Sequence, residues 1–142
     1  MIGIYELNPS TSEFVGISGG NFTAPIVTQI TPRGKSSAKK LWIRNDDLTR
    51  FYADISISPV GIDGVSLPSG LSIKMKKGTR QPLVSEWEVA QDQIPNFIDI
   101  GSAAAGDMQY YPFWIEIKAS GSLAIGENRI QLAIGYTEGL VA

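Results

Sequence analysis

The chain has 142 residues, 43% apolar and 18% charged, enough length and hydrophobicity for one packed domain and too little charge for a disordered segment. It contains no cysteine and no histidine, which excludes disulfides, thiolate and imidazole metal ligands, thiol nucleophiles and the commonest general base. The net charge of −2 hides an uneven distribution: residues 33–80 hold ten of the twelve basic residues and four acids, while the remainder has two bases and ten acids.

In chain order, "IGIYEL" reads as an edge strand and "APIVTQI" as a short, irregular one. "KLWIRN" alternates Leu41 and Ile43 against Lys40, Trp42 and Arg44, the period of a half-buried strand. "YADISIS" sets Ala53, Ile55 and Ile57 against Tyr52, Asp54, Ser56 and Ser58. "LSIKMK", "SEWEV" and "NFIDI" are shorter strand candidates. "YYPFWIEIKA" places Phe113, Ile115 and Ile117 on one face, and "NRIQLAIGY" places Ile130, Leu132, Ile134 and Tyr136 on one face. These last two read as the final strands, joined by about eight residues. Turn signals rich in Gly, Pro, Asn and Asp recur every ~8–12 residues, and "SAAAGD" offers at most one helical turn. The pattern predicts an all-β antiparallel two-sheet sandwich, Ig-like or jelly-roll-like, of seven to nine strands, with residues 1–142 as a single domain.

Little of the sequence suggests chemistry. "RGKSS" ends like a phosphate-binding loop but has Gln29 where the motif needs glycine, and no helix follows. Asn45, Asp46 and Asp47 offer oxygen ligands in one turn, as "GIDG" does more weakly, yet calcium wants six to eight converging oxygens. Read as a strand, "SEWEV" puts Glu86 and Glu88 on one face at a separation that suits paired carboxylates, but a solvated polar face is the better explanation. "NFT" matches a glycosylation sequon. Trp42 between Lys40 and Arg44 has the composition of a single-strand nucleic-acid platform, but the chain is acidic and shows no recognition module. The reading is therefore no enzyme, no cofactor, no metal and no nucleic acid. With no apolar run of spanning length and no signal-like N-terminus, it is also no membrane protein, and synthesis is expected in the cytoplasm.

The pattern leaves one anomaly. Trp114 falls on the polar face of its strand beside Glu116 and Lys118, and Trp42 does the same beside Lys40 and Arg44. Tyr52 and Phe97 share the feature. Three explanations stand: the faces are misassigned by one residue or a loop of the same chain covers the rings, another subunit covers them, or they stack on a sugar.

"LWIRNDDLTRFYADISISPVG", "SEWEVAQDQIPNFIDIG" and "YYPFWIEIKASGSLAIGENRIQLAIGYTEG" together resemble small β-sandwich structural proteins of tailed-bacteriophage virions. The resemblance covers roughly residues 38–139 and rests on an aromatic-charged strand with an Asn-Asp turn, a Trp strand, and a Tyr-Pro-aromatic-Trp strand before a final hairpin. It implies an Ig-like domain that decorates or cements a capsid, with a tail or baseplate component as the alternative. A carbohydrate-binding module is the rival from another class. On this expectation the protein resides in the virion as a homo-oligomer and meets the major capsid protein or other subunits. Trp42, Arg44, Tyr52 and Trp114 are the expected contact residues, and residues 1–21 form an arm reaching a neighbour.

Overall fold

The computed structural model of the chain describes residues 2–7, 10–18, 26–30, 36–45, 49–60, 71–95, 97, 110–119 and 126–140. Within them are eight strands and one short helix: β1 (Ile2–Leu7), β2 (Phe14–Ser18), β3 (Ile26–Ile30), β4 (Ser36–Asn45), β5 (Arg50–Val60), β6 (Leu71–Lys77), α1 (Val84–Val89), β7 (Tyr110–Ala119) and β8 (Gly126–Leu140). Five strands form one sheet in the order β2-β1-β4-β7-β6, and three form another in the order β3-β8-β5. Every pairing is antiparallel. The all-β, sandwich-like fold expected from the alternation is the one observed.

Alternation explains the core directly. Ile2 and Ile4, Leu41 and Ile43, Ile73 and Met75, and Phe113, Ile115 and Ile117 line the inner face of the larger sheet. Tyr52, Ile55, Ile57 and Leu132 come from the smaller one, and Ile94 and Phe97 complete the same cluster. Each fully buried Ile or Leu contributes about 1.5–3 kcal/mol relative to exposure, before the entropy of ordering it. Asn45, 1% exposed, closes the end of β4 by donating from Nδ2 to the Arg50 carbonyl at 2.9 Å, so the buried amide is bonded.

Four sequence expectations need correction. The N-terminal segment is no projecting arm over residues 2–7 and 14–18: β1 lies between β2 and β4, and Ile2 and Ile4 are fully buried. β7 and β8 do not form a hairpin, for β7 pairs with β4 and β6, and β8 with β3 and β5. "VSEWEV" is helical. Its Glu-Trp-Glu-Val pattern fits period two as well as one helical turn, and the flanks decide: Leu83 follows Pro82, and its N–H donates to the Glu86 carboxylate at 3.0 Å. Lys74 Nζ, at 2.8 Å from the Trp87 carbonyl and 3.2 Å from that of Glu88, satisfies acceptors at the other end. Fourth, Phe97 belongs to the core rather than to a charged face. It is 7% exposed, with its ring 6.0 Å from Phe113 and 6.5 Å from Tyr111.

Residues 91–95 and Phe97 clasp the two sheets together. The Met75 N–H donates to the Gln91 carbonyl at 2.8 Å on the edge of β6. On the edge of β5, Ile57 and Ile94 exchange two 2.8 Å bonds, and the Phe97 N–H reaches the Ile55 carbonyl at 2.6 Å. Backbone groups that an edge strand would leave open are paired by the chain itself.

Candidate functional site: an aromatic and cationic sheet face

The outward face of the larger sheet gathers the residues that the alternation left unexplained. Register fixes their neighbours. Tyr5 of β1 lies opposite Trp42 of β4, which lies opposite Pro112 of β7. One step along, Trp114 sits between Lys40 and Lys76, and Arg44 is opposite Tyr110. Side chains directly opposite in antiparallel strands are close enough to touch, so these residues form one continuous surface.

Local contacts hold the rings. Trp42 and Tyr110 meet edge to face with centroids 5.8 Å apart, and Lys40 Nζ lies 4.8 Å from the Trp42 ring centre. Arg44 Cζ stands 5.7 Å from the ring of Tyr5, which is 7% exposed although it faces away from the core cluster. Each cation–ring contact is worth about 0.5–1 kcal/mol at such a site and also fixes the position of the cation. The Trp114 indole N–H donates to the Thr79 carbonyl at 3.3 Å, so the chain after β6 leans against this ring. Both Trp42 and Trp114 are half-buried, and Tyr110 is 43% exposed. The sequence alternatives therefore divide: the chain covers part of each indole and leaves part of each uncovered.

Three of the four expected contact residues, Trp42, Arg44 and Trp114, are brought together here. Tyr52 is not. It is fully buried in the core, its ring 5.0 Å from that of Tyr136. The cause is a bulge in β5, where pairing with β8 slips between Ala53 and Ser56 and Asp54 adopts φ 52°. One extra residue reverses the faces on its N-terminal side, so Tyr52 joins Ile55 and Ile57 inside. Tyr5 and Tyr110 were missed, although the alternation of Ile2 and Ile4 against Gly3 and Tyr5 carried the signal.

The basic window does not form one patch. Lys39 points to the opposite face from Lys40 and pairs with Glu6 at 3.0 Å, and Arg50 pairs with Glu138 at 3.0 Å. Arg80 and Lys76 both hold Glu86, at 2.7 and 2.9 Å. Hydrogen bonds from Arg80, the Leu83 N–H and Lys76 lower the Glu86 carboxyl to about 2, while Arg80 is raised by the same contact. Residues two apart on a helix point in nearly opposite directions, so Glu86 and Glu88 do not form the shared-face carboxylate pair expected of a strand. A carboxyl held that low stays ionised and cannot act as a general acid near neutral pH.

Asp46, Asp47 and Asp63 of the oxygen-rich turns, residues 33–35 of "RGKSS", the "NFT" sequon and "SAAAGD" lie outside the described residues. Among the described residues no group of three or more Asp and Glu side chains is placed to hold a metal ion. The fold and this face define an all-β sandwich-like protein with an aromatic and cationic sheet surface. Comparison with protein-family models, curated proteins and solved structures gives no match.

Proposed function

We propose that the chain is a non-enzymatic structural protein of a tailed-phage virion, most simply a capsid decoration or cement protein, and that it docks through the Trp42–Tyr110–Trp114 face. One observation carries this reading: incompletely buried aromatic rings stand in register on one sheet face with Lys40 and Arg44 among them. Interfaces draw most of their affinity from a few Trp, Tyr and Arg residues, and cations beside them favour an acidic protein surface. Attachment to several equivalent sites on a shell would let modest single contacts hold firmly. The sugar-platform reading fits less well because Lys40 already lies over the Trp42 ring that a pyranose would need.

The test adds purified chain to virus particles that lack it and measures co-sedimentation. Wild-type chain sediments with the particles, and Trp42→Ala binds at least about thirtyfold more weakly, the ~2 kcal/mol of a hot-spot residue, while keeping its native circular dichroism. Equal binding by the variant overturns the role of this face. No binding by the wild-type chain overturns the virion reading, and saturable quenching of Trp fluorescence by soluble glycans would replace it with sugar recognition.

A further inference from the structure

Between β6 and α1 the chain runs against Trp114. The Trp114 indole N–H donates to the Thr79 carbonyl at 3.3 Å, and the Gly78 N–H to the Pro112 carbonyl at 3.3 Å. Both bonds are longer than the usual N–H to oxygen distance of about 2.9–3.0 Å, so neither holds firmly. Gly78 takes φ 142°, a conformation that glycine alone adopts without strain, and residues 78–81 are exposed and belong to no helix or strand. The footing beyond them is firm, for Pro82 and Trp87 are buried. The strongest tie on the segment is Arg80, whose guanidinium donates to the two Glu86 oxygens at 2.7 and 3.3 Å. Glu86 sits on α1 and is also held at 2.9 Å by Lys76, which lies directly opposite Trp114. The carboxylate is therefore fixed near the indole, while the exposed segment depends on one ion pair and two long hydrogen bonds among the described residues.

We propose that residues 78–81 are a latch over Trp114, fastened by Arg80 to Glu86, and that release of this ion pair lifts the segment about Gly78 and uncovers the indole. The Arg80 side chain is 66% exposed against 23% for Glu86, so an approaching carboxylate reaches the cation first. An exposed pair of this kind is weak and is screened by salt, so the change of partner costs little. An acidic group arriving at the aromatic face takes Arg80 from Glu86 and leaves Lys76 to neutralise the glutamate. The freed segment then opens more of Trp114 to the same partner. Recognition of the acid and exposure of the ring are coupled, because both favour the lifted state. Use of the latch in docking rests on this face being the docking surface, whereas the latch itself is a property of the free chain.

Nuclear magnetic resonance of the nitrogen-labelled chain reads the latch at its three tryptophans, Trp42, Trp87 and Trp114. Their indole N–H signals are assigned from single Trp→Phe variants, and the exchange of each indole proton with water is measured. Arg80→Ala should speed exchange at Trp114 at least about fivefold, the loss of one net hydrogen bond, with Trp42 and Trp87 unchanged. Glu86→Gln should do the same, and the double variant should add nothing to either alone, as for two members of one pair. Salt at about 1 M should move the wild-type chain toward Arg80→Ala and barely move the variant. Unchanged exchange at Trp114 in Arg80→Ala overturns the latch. So does faster exchange at Trp87 as well, which means that α1 has come loose rather than that residues 78–81 have lifted. No partner enters the measurement, so failure here is distinct from failure of the chain to sediment with particles.

Discussion

Substitution at Asp54 isolates the backbone conformation on which the β5 register depends. The residue sits at φ 52°, in the left-handed region that costs an L-residue about 1–2 kcal/mol and that Asp tolerates better than most. Its side chain is exposed and is engaged by a 3.4 Å hydrogen bond from Thr137 Oγ1, too long and too wet to matter much. Asp54→Gly therefore sacrifices almost no contact. It relieves the strain and loses about 0.5–1 kcal/mol to the greater freedom of the unfolded chain, leaving stability within about 1 kcal/mol of wild type. Asp54→Val retains the strained φ and adds a β-branched clash, so it should be about 2 kcal/mol less stable than the glycine variant. Urea unfolding followed by Trp fluorescence measures both. Equal midpoints and slopes for the valine and glycine variants would refute a bulge held at positive φ, and the burial of Tyr52 would then need another cause.

Two further outcomes concern α1. Because the Glu86 carboxyl is lowered from 4.5 to about 2 in the folded chain, its contribution is fully present above about pH 4.5 and is lost as pH falls from there through about 2. The stability difference between wild type and Glu86→Gln, read from urea midpoints, should therefore be constant near neutral pH and shrink across that acid window; a constant difference throughout would show that the ion pairs with Arg80 and Lys76 do not set it. Trp87, 5% exposed beneath α1 and outside the main core cluster, should cost about 3 kcal/mol when truncated to alanine. Hydrogen exchange should then quicken at the Ile94 and Phe97 amides of the clasp while the β4–β7 ladder stays protected, and uniform loss of protection would argue against a locally anchored clasp.

The strands were legible where alternation ran unbroken. In β4, Leu41 and Ile43 are buried and Lys40, Trp42 and Arg44 face outward; in β7, Phe113, Ile115 and Ile117 are buried with Trp114 opposite. Tyr52 was misread because a bulge is one residue long and leaves no mark on composition: Asp54 alternates correctly on paper. "VSEWEV" was misread because six residues cannot distinguish period two from period 3.6, and the decisive contact, Glu86 to the Leu83 N–H, depends on where Arg80 and Lys76 stand. The candidate face was half legible. Trp42, Arg44 and Trp114 announced themselves by parity within their own strands; Tyr5 and Tyr110 carried the same parity, but their places beside Trp42 and Arg44 came from the register of β1 and β7 against β4.

By itself, then, the sequence determined the all-β class, most of the core, and which indoles turn away from it, because each of these follows from a two-residue period within a single strand. Strand order, the separation of β7 and β8 into different sheets and the scattering of the basic window were decided by the tertiary structure. The physical reason is sequence distance: β1 finds β4, β3 finds β8 and β4 finds β7 across long stretches of chain. Those partners are selected by joint burial of many side chains, which no local pattern encodes.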